Sequence, residues 1–244
     1  MSQIPDETKM KVSYDGPVIR DGRMSAVDVG SALIGMADVV SATSRVLYGD
    51  DSRVTSVVEA NFTKGSFEIN FALEAAGLLG DSASITELLV LLFGAGHKGL
   101  FGLIKYIGGR KLKRIEAASP QDGHLSIQVE GDNNVIAIDS TLSKLYSDQD
   151  VREAVECTVR PLERDGVEVM KISDFKSSDA NAPELPGVTV TQTEAKHFKA
   201  PTSSGNIIHE SKSEVLLRVV SPNFQEGNKW RFAQGEVVFR RDTR

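Results

Sequence analysis

Residues 84–114 read S-I-T-E-L-L-V-L-L-F-G-A-G-H-K-G-L-F-G-L-I-K-Y-I-G-G-R-K-L-K-R, the most apolar and glycine-rich part of the chain, closed by a basic cluster. Ser84 followed by Glu87 is a capping-box pattern, so a helix is expected to start there. Ile85, Leu88, Leu89 and Leu92 fall on one helical face, and Val90, Leu91 and Phe93 make the other faces apolar too. A helix apolar all round is buried, in protein or in lipid. After the glycines the spacing repeats at Leu100, Leu103, Ile104 and Ile107, with Phe101 beside them, and Gly108-Gly109 ends the second helix. The reading is a helix, a flexible joint at Gly94, Gly96 and Gly99, and a second helix folded back as a hairpin over 84–109.

A membrane-spanning helix needs about 20 mostly apolar residues. The uninterrupted run here is Leu88 to Gly96, and His97, Lys98 and Lys105 interrupt any longer one, which argues against a single span. Two covers remain open. The hairpin faces, Leu88, Leu89, Leu92, Phe93, Leu100, Phe101, Leu103, Ile104 and Ile107, are expected to meet another subunit or a lipid surface. Lys98, Lys105, Arg110, Lys111, Lys113 and Arg114 beside an apolar helix have the composition of an interfacial segment, and form a candidate anion-binding cluster.

Gly94, Gly96 and Gly99 also spell G-x-G-x-x-G, the spacing that lets backbone N–H groups approach a pyrophosphate at a helix N-terminus. The fingerprint requires a preceding strand, whereas this run carries helical spacing and a helix cap, and no Gly-Lys-Ser/Thr follows.

The 244 residues allow one large domain or two small ones. The net charge of −6 provides no global basic field for nucleic acid. A single cysteine, Cys157, excludes an internal disulfide framework and suits a reducing compartment. The opening M-S-Q-I-P-D-E-T-K has neither a basic n-region nor an apolar h-region, so no signal peptide is expected. These features predict a cytoplasmic protein, peripheral at the inner membrane if the lipid cover is the right one.

The remaining chain reads as an α+β protein with an antiparallel sheet and helices. Lys9–Tyr14 alternates as a strand. Ser25 and Asp28 open a long helix whose buried stripe is Val29, Leu33, Met36, Ala37 and Val40, stopped by Gly49. Residues 53–62 and 66–73 form a half-buried hairpin around Thr63-Lys64-Gly65, with Phe67, Ile69, Phe71 and Leu73 on one face. Residues 124–130 and 135–138 flank Gly131-Asp132-Asn133-Asn134, a turn suited to positive φ. A helix from Asp148 or Asp150 carries Val151, Val155, Val159 and Leu162 inward, and Pro161 should end it early. The domain reading is an α+β domain over 1–172, a polar linker region over 173–212 rich in Ser, Asp, Asn and Pro, and a C-terminal β element over 213–244.

Five stretches carry a resemblance: Y-D-G-P at 14–17, G-S-F-E-I at 65–69, the L-L-x-L-L-F-G-x-G hairpin with G-R-K-L-K-R, R-P-L-E-R-D-G at 160–166, and E-G-N-K-W-R-F at 226–232. Together they resemble an uncharacterised family of bacterial and prophage proteins. The resemblance implies an N-terminal α+β domain joined to a small C-terminal β-barrel, and a setting in phage–host conflict. The strands before Arg244 are too few to close that barrel, so an incomplete one is expected, its open edge paired or covered.

His97, His124, His197 and His209 lie far apart, none at metal-ligand spacing with another histidine or Cys157. No nucleophile elbow or kinase signature is present. Trp230 among Lys229, Arg231 and Phe232 is a candidate base-stacking residue, or simply packs its strand. No catalytic residue, metal or cofactor is expected. The leading functional expectation is a non-catalytic scaffold or binding protein that forms a homo-oligomer through the hairpin. The alternatives are a membrane-surface or membrane-inserting protein using the same hairpin, and a nucleotide or nucleic-acid binding module.

Overall fold

Alternation at Lys9–Tyr14 places Met10, Val12 and Tyr14 on one face, and the strand they form is the centre of the main sheet. The computed structural model describes residues 7–19, 22–49, 53–59, 67–76, 85–117, 123–177, 185–201, 218–221, 230–234 and 237–241. The chain divides into two compact units, residues 1–208 and 209–244.

In the first unit, β1 (Glu7–Asp15) leads into α1 (Ala26–Tyr48), then β2 (Arg53–Glu59) and β3 (Phe67–Ala76). The Ser25 side chain accepts from the Asp28 N–H and caps α1, as the sequence predicts, and Gly49 at φ 86° stops it. The hairpin helices are α2 (Ile85–Phe93) and α3 (Leu100–Ile107); the cap expected at Ser84 lies outside the described residues. β4 (Leu112–Ala117), β5 (His124–Val129) and β6 (Val135–Asp139) form a small antiparallel sheet in that order. α4 (Ser140–Ser147) and α5 (Gln149–Val159) follow, capped by Asp139 and Asp148. α5 gives way to a 3-10 turn at Arg160–Glu163, because Pro161 has no N–H to continue the ladder. β7 (Val169–Ser177), β8 (Val188–Thr191) and α6 (Gln192–Ala195) complete the unit.

The main sheet has the order β2-β3-β1-β7-β8, with every pairing antiparallel. The fold is α+β. Val12 sits opposite Ile69 on one side and Ile172 on the other. Met10, Val12, Tyr14, Phe67, Ile69, Phe71, Leu73, Met170 and Ile172 are all buried on the helix side. The opposite face carries Lys9, Lys11 and Glu68, with ion pairs Lys9–Glu59 and Lys11–Glu68. The period of two thus separates core from solvent. α5 docks on the sheet through Tyr14, whose buried hydroxyl donates to the Thr158 carbonyl at 2.8 Å. Burial, and secondarily the Cys157 thiol, push the Tyr14 phenol far above its ordinary range, so it remains a neutral donor.

The polar linker expected over 173–212 is corrected in its described parts. β7 continues to Ser177, and Val188-Thr189-Val190-Thr191 returns as the fifth strand of the sheet. Residues 192–198 form a helical turn with Phe198 fully buried. A few apolar residues at the right period, Phe175, Val188, Val190 and Phe198, outweigh the polar average of the segment.

In the second unit, β9 (Arg218–Ser221), β10 (Trp230–Gln234) and β11 (Val237–Arg241) form an antiparallel sheet with β10 in the middle. The barrel implied by the resemblance is, among the described residues, an open three-stranded sheet. The turn expected at Thr63–Gly65 lies outside the described residues.

Candidate functional site

The nine hairpin side chains expected to meet a partner or lipid, Leu88, Leu89, Leu92, Phe93, Leu100, Phe101, Leu103, Ile104 and Ile107, are each at most 1% exposed within the single chain. Their cover is the chain itself. Phe93 packs on Phe101 at 5.3 Å and on Phe175 at 5.6 Å, and Phe101 packs on Phe198 at 5.7 Å between ring centroids. The segment read as a linker therefore supplies part of the cover over the hairpin. In this state the nine side chains offer no surface, and contact through them requires the hairpin to leave the core.

The flexible joint expected at Gly94, Gly96 and Gly99 is a close-packed corner. A Cβ on Gly99 would lie 2.4 Å from the Gly94 nitrogen, and one on Gly102 would lie 1.6 Å from the Gly96 carbonyl oxygen. The glycines serve backbone-on-backbone approach. The Gly94 and Lys98 N–H groups donate to Val90 and Ala95, and Gly99, Leu100 and Phe101 at the start of α3 are buried. A helix precedes the corner where a dinucleotide fingerprint needs a strand.

The basic cluster is divided among separate tasks. Lys105 donates to the Thr189 carbonyl at 2.6 Å and pairs with Glu194 at 3.1 Å, tying α3 to β8 and α6. Burial alone would raise the Glu194 carboxyl, but hydrogen bonds from the Thr191 N–H and Lys105 outweigh it and hold its pKa below the ordinary range. Arg110 caps α3, donating to the Ile107 and Tyr106 carbonyls while lying over the Tyr106 ring. Tyr106 donates to Asp132 at 2.8 Å, which raises the phenol; the Asn134 N–H, then Tyr106, lower the Asp132 carboxyl. Lys98, Lys111 and Lys113 are exposed. Lys98 lies in the corner against β6, whereas Lys111 precedes β4 and Lys113 lies on it, at the other edge of the small sheet. Of Arg114 and Trp230 only the strand positions are described.

His97 stacks near Tyr106 at 5.8 Å, and His197 rests against Gly108 and Gly109. His124 is exposed and His209 lies outside the described residues. Among the described residues no three His, Cys, Asp or Glu side chains converge to hold a metal. A groove of about 330 Å³ between α1 and α5 is lined by Asp38, Ser41, Arg45, Asp150, Glu153 and Cys157. Arg45 and Asp150 pair across it at 2.6 Å, and the Cys157 thiol donates to the Ser31 carbonyl at 3.4 Å. α1 has the length and apolarity of a membrane span, with a mean hydropathy of 1.3, but its buried stripe, including Met36, Val39 and Val40, packs inside the fold.

A clamp on α5 has no signature in the sequence. Arg152 is 4% exposed, lies over the Tyr146 ring at 4.6 Å and donates to the Lys199 carbonyl at 2.9 Å. One turn on, Glu156 accepts the Ala200 N–H at 2.8 Å and pairs with Lys199 at 3.1 Å. Two side chains at i and i+4 thus hold both polar ends of the Lys199–Ala200 peptide bond. Burial alone would raise the Glu156 carboxyl, but the Ala200 and Lys199 hydrogen bonds win and lower its pKa.

Among the described residues, an openly presented element is one edge of the main sheet. β8, at one edge, is four residues long and runs straight into α6. β2, at the other, is seven residues long. It carries no charge between Arg53 and Glu59, and its Val57 and Val58, on opposite faces, are 43% and 45% exposed. The Ser56 hydroxyl is buried without a hydrogen-bond partner among the described residues. A long, uncharged edge with exposed valines is a template for pairing with another strand. β-rich composition marks β2 as a strand; only the sheet order shows that it is an edge.

No family model matches the chain, and no curated protein or solved structure is significantly similar to it. The prophage resemblance therefore rests on the quoted motifs alone.

Proposed function

We propose that the protein works by binding, as a scaffold that self-associates through the free edge of its main sheet. The observation that carries this reading is β2: an edge strand of seven residues, uncharged over its centre, with Val57 and Val58 exposed on its two faces. Soluble proteins blunt such edges with central charges, proline, bulges or brevity. In the small sheet the edge strand β4 carries Lys113 and the other edge, β6, is five residues long, while β8 is four. β2 follows none of these. The reading also gives the apolar hairpin its place, as the rigid core that holds the sheet in shape while the edge does the binding.

Sedimentation velocity over a range from sub-micromolar to about 100 μM tests it. The expected result is a concentration-dependent rise from the 26.4 kDa chain toward a multiple of that mass. A single 26.4 kDa species at every concentration would end the reading.

A further inference from the structure

We infer that the occupant of the β2 edge is β2 of a second copy, laid antiparallel about a two-fold axis through Ser56. The inference rests on the self-association reading above and specifies its partner and register.

The strand itself reads Arg53-Val54-Thr55-Ser56-Val57-Val58-Glu59. Opposed residues in a sheet share a face, so a two-fold normal to the sheet must pass through a residue rather than between two. Through Ser56, all seven residues find opposites. Arg53 faces the partner's Glu59 at both ends, a carboxylate that also pairs with Lys9 of its own chain; Val54 faces the partner's Val58, Thr55 faces the partner's Val57, and Ser56 faces itself. Shifting the axis to Thr55 or Val57 leaves strand ends unpaired and sets Arg53 opposite valine or Glu59 opposite threonine. Only the central register matches charge with charge and valine with valine. β-branched and opposite-charge pairs are the cross-strand contacts that stabilise antiparallel ladders.

The surrounding fold permits the join. On its other side β2 is already paired along its full length with β3, Arg53 opposite Ala76 through Glu59 opposite Asn70, so its shape is fixed before a partner arrives. A two-fold normal to the sheet keeps the helices of both copies on one face. The two five-stranded sheets then join into one continuous sheet. The outward N–H and C=O groups of β2 gain about six to eight hydrogen bonds in this pairing.

The test is a charge-swap cycle with a cross-link, in the full-length protein. Arg53→Glu sets like charges opposite each other twice per dimer, and so does Glu59→Arg. Each is expected to weaken dimerisation on the order of tenfold or more, and the double swap Arg53→Glu/Glu59→Arg to restore it. Val57→Cys in a Cys157→Ser background places two exposed thiols diagonally across the axis, about 7–8 Å apart. A short bis-maleimide should join them, and should not join Val135→Cys in the same background. Because the cysteine variants leave both charges in place, they still decide the matter if a charge variant fails to fold. A dimer that ignores the swaps and leaves Val57→Cys uncoupled overturns this register while self-association stands. A wild-type protein that stays a single chain overturns both.

Discussion

The hairpin and β2 are opposites in both composition and exposure. The hairpin is the most apolar stretch of the chain, and its side chains are closed off within the chain's own core. β2 is mild in composition, yet its Val57 and Val58 are open to solvent. The difference teaches that apolarity measures how strongly a segment seeks cover, not who provides it. Here part of the cover comes from Phe175 and Phe198, in a stretch whose average composition is polar. Exposure at β2 follows from strand order, which places it last in the sheet.

Substitutions in the two regions should therefore part ways. Gly102→Ala has the largest expected effect, because its Cβ would meet the Gly96 carbonyl at 1.6 Å and neither backbone can yield cheaply. A loss of about 4 kcal/mol or more in urea unfolding is expected, and tolerance within about 1 kcal/mol would show the corner to be loose. Leu92→Ala should cost about 2–5 kcal/mol through the cavity it leaves, while leaving the association of the folded fraction unchanged. If Leu92→Ala instead abolished association without a loss of stability, the hairpin would be the interface after all.

Smaller effects are expected at the surface. Glu156→Gln should cost less than about 1 kcal/mol, since the group is partly solvated. Its sign with pH is fixed by the lowered carboxyl pKa. The contribution is complete above the ordinary carboxylate value of about 4.3 and is lost as the pH falls through the lower folded value. Unfolding curves of wild type and variant should therefore converge in acid and separate near neutrality. Val57→Lys should change folding stability by no more than about 0.5 kcal/mol while weakening self-association, because a lysine on an edge strand opposes pairing. Equal association by wild type and Val57→Lys would move the interface elsewhere.

Much of the fold is legible in the residues. Caps at Ser25 and Asp148, the stop at Pro161 and the alternation of Phe67 to Leu73 all have local causes that tertiary structure leaves intact. The hairpin is legible as a buried element, but part of its cover is not, because Phe175 and Phe198 lie about 80 to 100 positions beyond the rings they pack on. The fifth strand has a faint signal in Val188-Thr189-Val190-Thr191 after Pro186-Gly187, easily lost among polar neighbours. The basic cluster misleads for a different reason. Lys105 and Arg110 are close in sequence to the exposed lysines, but each is drawn into a local task, an ion pair with Glu194 and a helix cap. Edge status and the Arg152–Glu156 clamp have no local signature, since both arise only when distant segments meet.

Hydrogen–deuterium exchange followed by mass spectrometry across a concentration series reads both regions at once. The account predicts that amides of α2 and α3 exchange slowly at every concentration. Outward-facing amides of β2 should exchange quickly in dilute protein and become protected as concentration rises. Protection that grows with concentration in α2 and α3 but not in β2 would contradict it.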